Sequence, residues 1–560
     1  MGVVRGRVSG VLAIVLACGF VGAGTLPVAA VPAVTAAACR SLPAPAVELL
    51  NAGDAETGFG IDGSGVRVGI ISGSFGNAGE AAVAADVSAG LLPGPGNPCG
   101  YETPVTLVDD PPGDDDDEGR AMAQLVHGIA PGAEILFASG TSDFPGAVDR
   151  LVAAGASIIV DDVQGSGDRR YRTGPGEAAI QRAVDTGVFY ATAAGNFGVP
   201  GAAGFPSAGF PIGSWATDRY RPTDCPQNVA DLFTAEAIDC LDFDPGESTD
   251  ATLGVTLPPA SVMVGALDWA EPDGAVATRF EYVLSLADRT IPFTPGDPEL
   301  ATGAAPLQNL SDTEASEVQV SVVRHVTSTA ATPPVALTWL PVPGRPELIA
   351  QEYFRSTATD TVGSALFGHQ AYPAAFRVAA VDAADSTLET YSSLGPSTIL
   401  FGVPTPVTVP GPTAAGIDDL PVSTTVLTGS GNFRGTSAAA PTVAAAAALV
   451  RQLRPDLTPD QVRAALTDHA RLDTITIPWD PSIPTERSVG AGLIDVGASL
   501  AALAVPTPPV PTADAGAAAI DVLPPTGLSA TSLLSAVVIA VALTGGGAVL
   551  LLRRRPRRRV

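Results

Sequence analysis

The sequence predicts an α/β fold: a parallel sheet with helices on both faces, interrupted by an inserted antiparallel β-sandwich-like domain. Three observations lead there. Residues 50–200 alternate short apolar strand patterns with helical ones, the rhythm of βαβ units. Residues 225–350 lose that rhythm and carry short β-patterned runs separated by turn residues. Beyond them a small-residue turn, Gly435-Thr436-Ser437-Ala438-Ala439-Ala440-Pro441, leads into an alanine-rich helical pattern over 442–453.

The expected core strands are 66–71, 134–138, 158–162 and 188–193, with helical stretches between them, such as 176–186. The run Ile158-Ile159-Val160-Asp161-Asp162 reads as a buried strand ending in two carboxylates. Alternation sends Asp161 and Asp162 to opposite faces, so only one can enter a cleft. In the insertion, 253–257, 261–267, 280–286 and 318–326 read as strands. There Asp242, Asp244 and Asp250 suit a cation site or a turn equally well. Pro441 near the start of the alanine-rich helix suits an N-terminal turn. A hydroxyl in the Gly435–Pro441 turn sits at a helix N-terminus, where free N–H groups favour negative charge and can stabilise an oxyanion.

This turn and the long helix behind it resemble the serine motif of subtilisin-like peptidases. Further stretches extend the resemblance in the family's order. Gly65-Val66-Arg67-Val68-Gly69-Ile70-Ile71 is similar to its first core strand, and Gly128-Ile129-Ala130-Pro131-Gly132 to the segment after its histidine helix. Ala193-Ala194-Gly195-Asn196 is similar to the strand end with its oxyanion asparagine. Val378-Ala379-Ala380-Val381-Asp382 and Tyr391-Ser392-Ser393-Leu394-Gly395-Pro396 resemble the strand and loop ahead of its serine. The resemblance covers 50–220 and 350–505. It implies a subtilisin-like sheet and a serine endopeptidase with Ser437 as nucleophile and Asn196 as oxyanion donor.

The chain departs from that pattern at two places. Where the family has its histidine motif, this chain reads Asp117-Glu118-Gly119-Arg120-Ala121-Met122, and aligning the glycine puts Glu118 at the base position. A glutamate there resembles the sedolisins, although their following aspartate is Met122 here and their oxyanion aspartate is Asn196. Where the family has its aspartate, this chain reads Ser72-Gly73-Ser74-Phe75. Asp161 or Asp162 is the nearest replacement, and Asp162 is favoured. A carboxylate serves as base when burial or a like charge raises its pKa. Asp114 to Asp117 precede Glu118 and read as a solvated loop capping a helix, with a calcium loop as the alternative. The four histidines lie off the motifs, except for His127, which reads as structural; His469 reads as a surface residue on a later helix.

The 560 residues suffice for two or three domains, and a formal net charge of −28 argues against nucleic-acid partners. The expected divisions are a signal peptide at 1–38, peptidase parts at 39–224 and 351–505, the insertion at 225–350, a Pro/Ala-rich spacer at 506–522 and a terminal signal at 523–560. Arg5 and Arg7 ahead of a short apolar run give the signal peptide its pattern. Leu523-Pro524-Pro525-Thr526-Gly527, the uncharged stretch 528–552 and the arginine tail resemble the LPXTG-type sorting signal of Gram-positive surface proteins. That resemblance implies a sortase cutting between Thr526 and Gly527, a peptidoglycan anchor, and a transmembrane stage beforehand. Cys39, Cys99, Cys225 and Cys240 form an even set in an exported chain, with Cys39–Cys99 and Cys225–Cys240 the expected pairs. No cofactor is expected beyond an unassigned structural calcium. Protein or peptide substrates are expected. The rival reading is an inactive subtilase-fold surface protein or an adhesin, whose insertion serves recruitment, glycan binding or packing.

Overall fold

In the computed structural model of the chain, residues 44–504 are described, apart from 112–116, 165–166, 295–296, 298, 328, 343–346 and 425–431. The expected signal peptide, the spacer, the 528–552 stretch, Thr526, Gly527, Cys39 and Asp114 to Asp116 therefore lie outside the described residues. Among the described residues no helix is long and apolar enough to cross a membrane.

Seven parallel strands form the central sheet. They are β1 (Arg67–Ser72), β2 (Thr106–Asp109), β3 (Glu134–Ser139), β4 (Ile158–Asp161), β5 (Phe189–Ala193), β6 (Phe376–Asp382) and β7 (Ala414–Asp418), in the spatial order β2-β3-β1-β4-β5-β6-β7. Their apolar runs are buried because helices cover both faces, as a parallel sheet requires. Helix α1 (Glu118–Ile129) and helix α4 (Thr436–Leu453) pack on the face that carries Val68, Ile70, Val160 and Ala191. Helix α2 (Phe144–Ala153) and helix α3 (Pro175–Asp185) pack on the face that carries Ile71, Ile159 and Tyr190. Period-two alternation therefore assigns side chains near the strand ends. Ser72 and Asp162 fall in phase with the α1/α4 face, Asp161 and Thr192 with the α2/α3 face.

Helix α4 is buried from Thr436 to Val450, and its alanines allow close approach to the sheet. It begins at Thr436, so Pro441 is its sixth residue and lies inside the helix rather than in its first turn. The proline has no N–H to give the Ser437 carbonyl. Helix α1 extends to Ile129 and includes His127. His469 lies past the helix Pro459–Thr467, which stops before it, and is half-buried.

The antiparallel strands run from Ser214–Thr217 to Asp360–Val362, wider than the expected 225–350. These two strands pair with each other within a five-stranded sheet. That sheet and a second one face each other across Trp215, Trp269, Trp339, Phe280 and Tyr282. Cys225 and Cys240 are joined by a disulfide in the second sheet's margin. Cys99 is also disulfide-bonded.

Candidate active site

The carboxyl ends of β1, β4 and β5 carry residues that the sequence singled out, and the end of β7 adds Asp418, at the edge where open α/β sheets bind ligands. The β1 end supplies Ser72, which is fully buried. Its hydroxyl donates to Asp162 Oδ2 at 3.2 Å. The Glu118 carboxyl lies close enough to interact with the Asp162 carboxyl. Loss of solvent and the Glu118 charge push the Asp162 carboxyl well above the usual carboxylate range. The expected carboxylate partner and the serine that stands in the family's aspartate position are thus in contact. Asp161 turns the other way.

The start of α1 is fixed by the loop after β1. Asp117 N–H donates to Ser74 Oγ at 3.0 Å and Gly119 N–H to Ser74 O at 2.9 Å. The Asp117 carboxylate accepts Asn77 N–H at 2.7 Å and Ala78 N–H at 2.9 Å, and pairs with Arg120 at 3.0 Å. Asp117 is only 2% exposed, so this member of the acidic run is a buried organiser of the loop rather than a solvated cap. Gly119 explains the Glu-Gly pair. A Cβ at Gly119 would lie 2.2 Å from Phe137 and 2.8 Å from Ser74 O, so only glycine lets the helix start this close to the sheet.

Ser437 is the second residue of α4 and is 7% exposed. The turn ahead of it is held from two sides. Asn196 Oδ1 accepts Thr436 N–H at 2.9 Å and Thr436 Oγ1–H at 3.0 Å, and Gly195 N–H donates to Thr436 Oγ1 at 3.1 Å. With its carbonyl oxygen so engaged, Asn196 presents its amide nitrogen 3.0 Å from where a Gly435 Cβ would stand. Gly435 has φ 122°, a left-handed conformation that favours glycine independently of this crowding. On the other side, Asp418 Oδ2 accepts Gly435 N–H at 3.1 Å and the Tyr391 hydroxyl. Burial pushes the Asp418 carboxyl up to about 7. Sequence reasoning missed this Tyr391–Asp418 support. The signal was present, because Ala414 to Asp418 repeats the pattern of a buried strand ending in a carboxylate.

Asp161 takes part in a separate network behind the sheet. Its Oδ1 accepts Thr192 Oγ1–H at 3.0 Å and contacts His369 Nε2 at 3.0 Å, while His369 Nδ1 contacts Asp168 Oδ2 at 2.7 Å. Burial alone would lower the His369 pKa, but Asp168 and Asp161 override it and hold it well above the ordinary histidine value. No local pattern around His369 announces this. His127 behaves oppositely: burial lowers its pKa to about 4, and it packs against Asn97 and the Tyr101 ring as a neutral residue. Asp242 spends an oxygen on the Asp244 and Asp250 amides, and Asp250 on Thr252, so these carboxylates organise a turn.

Two of these raised groups, His369 and Asp162, have the same consequence for stability. The protonated His369 stabilises the fold fully below its unfolded pKa of about 6.5, and that contribution is lost as pH rises through the folded value. Protonated Asp162 contributes likewise below about 3.9 and loses that contribution through its own raised value. Thermal melts from mildly acidic to alkaline pH should therefore fall in midpoint as pH rises, each group adding at most about 1.4 kcal/mol per pH unit. The slope should flatten in His369→Gln. A wild-type midpoint that climbs steadily toward alkaline pH contradicts this.

Comparison with known proteins bears on the whole frame. The model of the Subtilase family matches residues 78–492, a span that includes Glu118, Asp162, Asn196 and Ser437 and omits Ser72. Among solved structures, the chain is similar to the CspB protease of Clostridium perfringens, at 11% identity and a TM-score of 0.48, over 82% of this chain and 97% of that one. It is also similar to MycP1 from Mycobacterium smegmatis, at 16% identity and a TM-score of 0.35, over 81% of this chain and 84% of that one. The prenylagaramide maturation protease PagA gives 12% and 0.35, over 78% and 94%. No curated protein matches the chain.

Proposed function

Since the chain belongs to the subtilase family of serine peptidases, we propose that it is a cell-surface serine endopeptidase whose general base is Glu118, supported by Asp162. The observation that carries the reading is the grouping in which Ser72 donates to Asp162 and the Glu118 carboxyl lies beside Asp162, on the sheet face that α4 covers.

In this mechanism Ser437 Oγ attacks the substrate carbonyl carbon while the Glu118 carboxylate takes the hydroxyl proton. Asp162, held protonated by burial and by the neighbouring charge, donates to Glu118 and orients it. Ser72 in turn orients Asp162. The Asn196 amide and the Ser437 N–H at the start of α4 receive the oxyanion of the tetrahedral intermediate. Collapse passes the proton from Glu118 to the leaving amine and leaves an acyl-serine. A water attacks that ester with Glu118 again as base, and Ser437 is regenerated. Labelling with a fluorophosphonate probe tests the assignment: wild type should be modified at Ser437 and Ser437→Ala should not. Equal labelling of both removes Ser437 from the mechanism.

The ends of the chain supply the location in this proposal. The N-terminal pattern directs export, and a sortase thiolate attacks the Thr526 carbonyl, releases 527–560 and joins Thr526 to a wall amine. Mature protein should then resist detergent and be freed by muralytic enzymes. Thr526→Ala should remain in the membrane fraction with its arginine tail. Complete detergent extraction of full-length wild type contradicts wall attachment.

A further inference from the structure

We propose that Asp382, Glu389 and Asp418 form a calcium site that braces the turn ahead of Ser437. Asp382 and Asp418 are register partners at the ends of neighbouring strands β6 and β7. The loop after β6 returns to the sheet through Glu389 N–H, which donates to Ala380 O at 2.9 Å. The three residues offer carboxylate oxygens that all lie within 4.8 Å of one another. Oxygens bound to calcium at about 2.3–2.6 Å can stand up to about 5 Å apart, so these oxygens can share one calcium ion. Three carboxylates converging on one point suit calcium, whereas magnesium is usually held by one or two carboxylates and its own waters.

A second observation is independent of the clustering. Asp418 is fully buried, and its Oδ1 has no hydrogen-bond partner among the described residues. Its other oxygen already accepts from Tyr391 and Gly435. A buried carboxylate oxygen without a donor is costly and calls for a cation or a proton. Arg434 pairs with Glu389 at 2.6 Å and approaches Asp419 at 3.8 Å. One guanidinium leaves most of the negative charge on these carboxylates uncompensated. Asp382 and Glu389 are half-buried and give the ion a route from solvent. A bound calcium would tie the ends of β6 and β7 together and, through Asp418 Oδ2, fix the Gly435 N–H.

Terbium titration of the full chain tests this without requiring peptidase activity. Tyr391 donates its hydroxyl to Asp418 and so lies close enough to sensitise a bound lanthanide. Wild type should show saturable terbium emission that calcium competes away, and calcium should raise its melting temperature above that in EDTA. Asp382→Asn and Glu389→Gln should each weaken terbium and calcium binding about tenfold or more. Asp382→Asn should melt like wild type in EDTA, which shows that it folds. Absence of saturable binding in wild type overturns the site and leaves a proton shared among the carboxyls as the answer to the buried oxygen. Undiminished binding in both variants overturns it too, by locating the ion elsewhere.

Discussion

Replacing Ser437 with alanine is expected to lower peptidase turnover by about 10⁶-fold, the size found when the serine of a related triad is removed. Stability should change little. Alanine is the best helix former, and Ser437 lies in a first turn followed by Ala438, Ala439 and Ala440. The contacts that shape the turn belong to Gly435 and Thr436, through Asp418 and Asn196, and survive the change. Casein cleavage and a thermal melt of the two proteins check both halves. Cleavage by the alanine variant at the wild-type rate removes the serine from the chemistry.

Glu118→Gln should cost about 10²–10⁴-fold in turnover, the usual share of a positioned general base. Glutamine has the same length and can still hydrogen-bond Asp162, but it cannot accept the Ser437 proton. Helix α1 should hold its place, because Asp117, Ser74 and Gly119 fix its start through contacts that do not involve the Glu118 side chain. A variant that keeps full activity, or one that loses activity only by unfolding, contradicts the assignment. Asp162 acts through Glu118, so Asp162→Asn should reduce turnover less and leave KM nearly unchanged.

Much of the frame was legible because buried parallel strands leave continuous apolar runs. The expected 66–71, 134–138, 158–162 and 188–193 lie within a residue of β1, β3, β4 and β5. The opposed directions of Asp161 and Asp162 followed from the period of a strand, before either partner was known. Other features were hidden for physical reasons. Ser214–Thr217 and Asp360–Val362 are too short to show alternation, and only pairing in the five-stranded sheet makes them strands. Pro441 suggested a helix start, but tertiary packing carries the helix back to Thr436. The burial of Asp117 depends on amides some forty residues away, and His369 meets Asp161 across 208 positions. No window of sequence contains such partners.

The central claim is that a carboxylate, Glu118, activates Ser437. The most direct measurement is the pH dependence of fluorophosphonate labelling of Ser437, in wild type and in Glu118→Gln. A carboxylate base stays ionised where histidine, with a pKa of about 6.5, would be protonated. Labelling of wild type should therefore persist into mildly acidic conditions, with its acidic limb below the histidine range, and Glu118→Gln should lose both the rate and the limb. A wild-type limb near 6.5 that is unchanged in Glu118→Gln would assign the proton to another group and contradict the account.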